Sequence, residues 1–225
     1  MDTMNKDIAG ITRATIEALV PIRGVRVLEI GCGDGRITGQ LAPEPSLLAG
    51  VEPCADQAAI AGRIEGACVA AAAAEHLPFA DNAFDTVLFT LSLHHAESAK
   101  ALAEAARVTR HGGAIIAVEP HPHGTVQLLS HIFEDEGWRL ERGRRALDDS
   151  EALAAAGMRV VLERAFTAHW EFADFQELCD YQFEYFDMPQ SEELVQAMLD
   201  FLGPDCAGQR PLILEDLLVA AVLEV

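Results

Sequence analysis

The sequence runs to 225 residues, enough for one domain with a full buried core and some length left for a cap. Its formal net charge of −20 repels phosphate backbones and so disfavours a nucleic-acid substrate. Half of the residues are apolar, yet no segment is long and charge-free enough to span a bilayer, and residues 1–6 lack the basic start and apolar run of a secretory signal. Five cysteines without paired spacing fit reduced thiols, and the chain reads as a cytoplasmic protein of one domain, residues 1–225.

A helical pattern covers residues 8–19, with Ile8, Ile11, Thr15 and Leu19 on one face. Residues 25–30 read as a buried strand that ends in Gly31-Cys32-Gly33-Asp34-Gly35, and a helix follows to about residue 41, stopped by Pro43 and Pro45. A second short strand, 47–51, closes at Glu52-Pro53, with a helix over 55–63 and a weak third strand at 68–70. The run 84–90 is a strong buried strand, 98–110 a helix, and 114–119 another apolar strand. Strands alternating with helices through short links predict an α/β fold, a mostly parallel Rossmann-like sheet covered by helices on both faces. Farther on, a short helix at 151–156 leads into a strand at 158–168, and the apolar stretch 217–225 is a last central strand. Between these two lies a helical cap insertion at about 170–210.

Three glycines alternate in the loop after the first strand. Gly31 permits a sharp turn, Gly33 lets backbone approach a ligand, and Gly35 allows close packing of the next helix. The start of that helix is expected to present free N–H groups to an anion. Glu52, at the end of the second strand, stands where such sheets place an acid that accepts both hydroxyls of a ribose. A tight turn with no ligand and an exposed glutamate are the plainer readings of each feature; together they point to a ligand carrying ribose.

At these residues the sequence resembles the class I S-adenosylmethionine methyltransferases, especially those of ubiquinone and menaquinone biosynthesis. The resemblance rests on the stretch from Val27 through Gly35, on Ala74-Glu75-His76-Leu77-Pro78-Phe79 with Asp81 through Asp85 behind it, and on Leu102 through Gly113. It covers residues 25–120 and fades to topology beyond. It implies the sheet order 3-2-1-4-5-7-6 and S-adenosyl-L-methionine as cofactor. Glu29, Gly31 and Gly33 would lie against its methionine part, Glu52 on its ribose, Ala74 and Glu75 beside its adenine, with Leu91 through His94 lining the pocket after the fourth strand. Two departures stand out: Ala73 replaces an aspartate usual on the adenine side, and His111 replaces a proline before the fifth strand.

Methyl transfer is an in-line displacement, so a base is needed only where the acceptor must lose a proton. His94 and His95 follow the fourth strand, and His121 and His123 the fifth. His94 and His121 are the candidate catalytic residues, as base or acceptor-positioning groups. A zinc site from these histidines with Glu119 is an alternative use of them, and no metal is assigned. Cys32, Cys54 and Cys68 read as packed thiols. The segment 174–186 is a helix with Phe175, Leu178, Cys179 and Phe186 on one side and Tyr181 and Tyr185 on another, suited to a lid, a homodimer surface or a second core. Arg139, Arg142, Arg144 and Arg145 form a basic cluster that either holds an anionic group of the acceptor or pairs with Glu134, Asp135, Glu136 and Glu141.

The reading that results is a methyltransferase acting on an O, N or C atom of a small-molecule acceptor, with neither nucleic acid nor membrane as partner. A non-catalytic binder of the same nucleoside, or of S-adenosylhomocysteine, is the alternative. A nicotinamide-dependent oxidoreductase fits less well, because its GxGxxG spacing is broken by Arg36.

Overall fold

The computed structural model of the protein describes residues 7–225; residues 1–6, read above for leader character, lie outside them. One seven-stranded sheet organises the chain: β1 (Arg26–Ile30), β2 (Leu47–Glu52), β3 (Ala67–Ala71), β4 (Phe84–Thr90), β5 (Thr109–Pro120), β6 (Arg159–Phe172) and β7 (Leu212–Glu224). The order is β3-β2-β1-β4-β5-β7-β6, as expected, with β7 antiparallel to both β5 and β6 and the other pairs parallel.

Burial explains why these runs are strands. Leu28, Ile30, Val87, Phe89, Ile115 and Ala117 pack on one face against α4 (Ser98–Val108) and α7 (Ser150–Ala155). Val27, Leu88, Ile116 and Val118 point the other way, onto α1 (Ile11–Leu19) and α2 (Arg36–Leu41). A central parallel strand is thus wet on neither side, which is why its sequence is continuously apolar. The remaining helices are α3 (Ala55–Ala61), α5 (Thr125–Ser130), α6 (Gly137–Asp148), α8 (Phe175–Tyr185) and α9 (Glu192–Leu202), with 3-10 turns at Leu93–His95 and Pro204–Gly208. Among the described residues no helix is long and apolar enough to cross a membrane.

Several boundaries differ from the sequence reading, each for a visible reason. Helix α1 begins at Ile11, where the Asp7 carboxylate accepts the amides of Ile11 and Thr12 at 3.0 and 2.7 Å. Its buried face is Thr12 and Ile16, one step round from the face expected, and Ile8 is exposed. Strand β7 starts five residues early because Leu212, Leu214 and Asp216 alternate with exposed Ile213 and Glu215, a half-covered pattern distinct from the apolar run behind it. By the same alternation Trp170 and Phe172 belong to β6, so the helical insertion begins after Phe172. Helices α5 and α6 went unread; α6 buries only Leu140 and Gly143, too little for an apolar stripe.

The loop between β3 and β4 is tied down by one guanidinium. Arg107 grips both oxygens of Glu104 at 2.7 and 2.8 Å and donates to the Phe79 carbonyl, the Leu77 carbonyl and Asp81. Glu104 in turn accepts the Leu77 amide at 2.9 Å. Replacing Arg107 with alanine strands these acceptors half-buried. We expect R107A to lower unfolding free energy in urea by about 1–3 kcal/mol, while R107K loses part of that because an ammonium cannot fork.

Candidate active site

The carboxyl ends of β1, β2, β4 and β5 border a cleft of about 1070 Å³, roofed by α8. Its floor lies between β1 and β4, where the strand order reverses direction and the loops leaving two neighbouring strands part company. Leu91 turns the chain there with φ 56°, a conformation unusual for leucine, and its amide donates to the Val118 carbonyl at 2.8 Å. Beside it the Ser92 hydroxyl donates to the Ile30 carbonyl at 2.6 Å and joins the two loops.

The three glycines do three different things. A methyl on Gly31 would sit 2.5 Å from Ser92 Cβ, and one on Gly35 would meet Ile64 Cδ1 at 2.3 Å and Ala61 Cα at 3.1 Å. Both are closed off by protein. Gly33, with φ 56°, meets nothing within 4 Å and faces the cleft, so the open approach is at this position alone of the three. Glu52 accepts the Gly33 amide at 3.0 Å through one oxygen and the Cys54 amide at 2.9 Å through the other. Each oxygen keeps a second lone pair, so the carboxylate holds the loop while still able to take a pair of hydroxyls.

At the start of α2 no side chain caps the helix, so the amides of its first turn beyond Arg36 stay open to an anion as expected, while those of the preceding glycine loop are taken up. The amides of Gly31 and Cys32 both go to the Val51 carbonyl, that of Gly33 to Glu52, that of Gly35 to the Cys32 carbonyl and that of Arg36 to Asp34. The loop is held by its own bonds, and charged side chains lie beside it. Glu29 lines the cleft although it is fully buried; burial pushes its carboxyl up to about 7, against the opposing pull of the Thr38 hydroxyl at 2.6 Å and of the Arg36 charge. Burial, with Glu29 and Glu52 adjoining, pushes the Cys32 thiol up to about 12, so it is packed and inert. Cys54 and Cys68 are exposed, contrary to the packed role expected, since β3 is an edge strand and Cys54 precedes α3.

On the far side of the cleft His94 is buried and bonds through Nδ1 to Glu119, which ends β5. The same carboxylate accepts the amides of Ser92, Leu93 and His94 at 3.2, 3.0 and 3.2 Å, fixing the 3-10 turn that carries the ring. With Nδ1 bound to a carboxylate, Nε2 is the nitrogen left to exchange a proton. Helix α6 presses on this turn: Arg142 donates to the His94 carbonyl at 3.0 Å, and a methyl on Gly143 would lie 3.5 Å from His94 Cα. His95 also borders the cleft; desolvation first, then His94, Arg139 and Arg142, push its imidazole down to about 3. His121 is not in the lining. Its Nδ1 accepts the His123 amide at 3.0 Å, a contact within the turn that follows β5. Among the described residues no group of three or more His, Cys, Asp or Glu converges as metal ligands would.

Ala74, Glu75 and Leu91 all line the cleft, together with Ala73 and Ala96 and with Pro53, Gln57 and Ile60 around α3, which sequence reasoning passed over. Glu119 had been seen only as a metal-ligand candidate, because its pairing with His94 needs the β4–β5 register. The cap helix α8 buries Phe175, Leu178, Cys179 and Phe183 in a third apolar cluster and turns Tyr181, Gln182 and Tyr185 to the cleft. Phe183 takes the place expected for Phe186. The arginine cluster is spent on ion pairs: Arg139 with Glu134 and Glu136, Arg142 with Glu97, Arg144 with Glu141 and Asp148, and Arg145 with Glu141.

Residues 28–117 match the model of the family described as methyltransferase domain. The chain is 33% identical over 99 residues to an uncharacterised methyltransferase of Mycobacterium bovis, covering 44% of this chain and 41% of the relative. It is 35% identical over 108 residues to the demethylmenaquinone methyltransferase of Mycobacterium marinum, covering 48% and 46%. The chain thus spans less than half the length of these relatives. Among solved structures, a candidate methyltransferase of Bacillus halodurans superposes with TM-score 0.64 at 21% identity, covering 94% of this chain and 97% of that one. Geranyl diphosphate C-methyltransferase of Streptomyces coelicolor, solved with S-adenosyl-L-homocysteine, superposes with TM-score 0.59 at 13% identity, covering 96% and 77%. These likenesses establish the Rossmann-like methyltransferase fold.

The glycines supply a direct check. Gly31→Ala should lower the melting temperature sharply, because the new methyl collides with Ser92. Gly33→Ala should cost only about 1 kcal/mol, for its left-handed backbone. Equal melting temperatures for the two variants would contradict the contrast in packing.

Proposed function

We propose that this chain is an S-adenosylmethionine-dependent methyltransferase acting on a small-molecule acceptor. The observation that carries the reading is the pair Gly33 and Glu52 at the switch point: open space beside the glycine, and a carboxylate already fixed by two amides with lone pairs to spare. The residues present fit the cofactor. Glu52 suits the ribose diol, Glu29 with Gly33 the amino-acid portion, and Ala73, Ala74, Glu75 and Ile60 the adenine. Ala73 makes that last contact apolar, and Glu75 is held by the Glu97 amide at 2.6 Å. When bound, the cofactor supplies an electrophilic methyl group on a cationic sulfur.

The chain's own share is positioning and proton transfer. Leu91 and Ser92 shape the floor between the two ligand halves. His94, oriented by Glu119, accepts a proton at Nε2 from an acceptor that must lose one. This dyad favours an enzyme over a non-catalytic binder, which has no use for a base held by four bonds to one carboxylate. The acidic surface disfavours nucleic acid, and five free cysteines suit the cytoplasm.

Calorimetry with S-adenosylmethionine tests the placement: Glu52→Gln should weaken binding at least tenfold with the fold intact, and unchanged affinity would refute it. With any acceptor found by screening, His94→Gln should lower kcat by about 100-fold or more while cofactor affinity stays within twofold. Glu119→Gln should act in the same direction and shift the pH profile.

Glu29 gives a pH signature. Its carboxyl is raised from 4.5 to about 7 in the folded chain, so its contribution to stability is whole below pH 4.5 and is lost as pH rises through 7. A ligand ammonium placed there reverses the sign by favouring the charged form. Cofactor affinity should therefore climb between pH 6 and 8, with proton release visible in buffers of different ionisation enthalpy. Glu29→Gln should flatten both trends.

A further inference from the structure

The half of the cleft under the cap has a chemistry that narrows the acceptor, on the premise that the cofactor lies at the Gly33 end. Trp170 on β6 and Tyr181 and Tyr185 on α8 form its wall, with ring centroids 6.4 Å apart for Trp170 and Tyr181 and 6.3 Å for the two tyrosines. That wall already accepts a cation: the Arg36 guanidinium sits 5.7 Å from the Trp170 ring centroid. Among the described residues Arg36 is the only arginine or lysine in the lining, and its charge acts on Glu29 as well as on Tyr181. The arginines of α6 are bound to carboxylates of their own, so among the described residues no unpaired arginine or lysine faces the acceptor half for a carboxylate or phosphate.

What does wait is hydrogen-bond acceptance. Gln182 is 1% exposed and borders the cleft, and its Oε1 has no hydrogen-bond partner among the described residues. A buried carbonyl left this way is destabilising unless a donor arrives. Asp216, also in the lining and 2% exposed, takes the Val126 amide at 3.1 Å, has the Trp170 indole and the Leu217 amide beside it, and forms no ion pair among the described residues. Glu136 and Glu177 are less available, the first paired with Arg139 and the second accepting the Ala173 amide at the head of α8.

We propose that the acceptor is an amine that enters this pocket as an ammonium, its N–H groups donated to Gln182 Oε1 and Asp216 and its charge set against the Tyr181 and Tyr185 rings, beyond the Trp170 face that Arg36 covers. An ammonium has no lone pair, so it must first give a proton to His94 Nε2. The freed nitrogen pair then forms the new N–C bond as the C–S bond breaks, its electrons staying on sulfur; a methylated ammonium and a neutral thioether result. Burial pushes the Asp216 carboxyl up to about 6, as expected of a carboxylate whose countercharge comes with the ligand.

The test uses the full chain saturated with S-adenosylhomocysteine and three probes of similar shape: phenethylammonium, 2-phenylethanol and 3-phenylpropionate. Titration calorimetry should show the ammonium binding at least tenfold tighter than the alcohol, and the carboxylate giving no heat. Gln182→Leu should erase the ammonium's advantage with S-adenosylhomocysteine affinity unchanged, and Gln182→Glu, which keeps the oxygen, should retain it. If the homocysteine nucleoside binds but the alcohol or carboxylate matches the ammonium, or none of the three binds, the amine assignment is overturned and the methyltransferase reading stands. If the nucleoside itself does not bind, both fall.

Discussion

The covering of the sheet on both faces is the constraint from which everything else follows. Strands buried above and below have no room for polar side chains along their length, so groups able to meet a ligand collect where the strands end. Glu29 in β1 and Asp216 in β7 are carboxyls that sit inside strands nonetheless, and burial drives both toward their neutral forms. Reversal of strand order between β1 and β4 then separates two loops and leaves a floor between them. One strand end supplies the glycine turn, its neighbours the glutamate, the leucine bend and the histidine.

Carboxylates do much of the fastening in this acid-rich chain. Asp7 caps α1, Glu52 holds the glycine loop, Glu119 holds the turn bearing His94, and Asp216 takes the second amide of α5. Each satisfies backbone donors that a loop end would otherwise leave exposed. Part of the net charge of −20 is therefore structural in use, with surface solubility accounting for the remainder.

Legibility in the sequence followed the range of the interactions involved. The central strands and glycine turn were plain, since a continuous apolar run and a GxGxG spacing are local signals, and the distinct parts of Gly31, Gly33 and Gly35 emerged as their positions suggested. Glu52 was found by its place after a strand. The pairing of His94 with Glu119 was not, because it depends on two strand ends 25 residues apart meeting in register. His121 falls outside the cleft lining for a related reason: following a strand end does not say which way the chain turns. Helix α6, nearly all polar, offered no period to read, and the loop's amides proved to be used internally in ways composition does not reveal. Gln182 carried no signal at all until the surrounding helix was placed.

The cap joins two adjacent antiparallel strands, β6 and β7, whose pairing runs from Phe172 with Leu212 to Arg159 with Glu224. It is in effect an oversized hairpin tip. Lengthening, shortening or resequencing such a tip leaves the ladder below it in register, since closing a longer loop adds little entropy cost. The cap's own share of the cleft lining, Tyr181, Gln182 and Tyr185, is thereby under separate hereditary control from the share carried by the strands, and is free to drift while the sheet stays fixed.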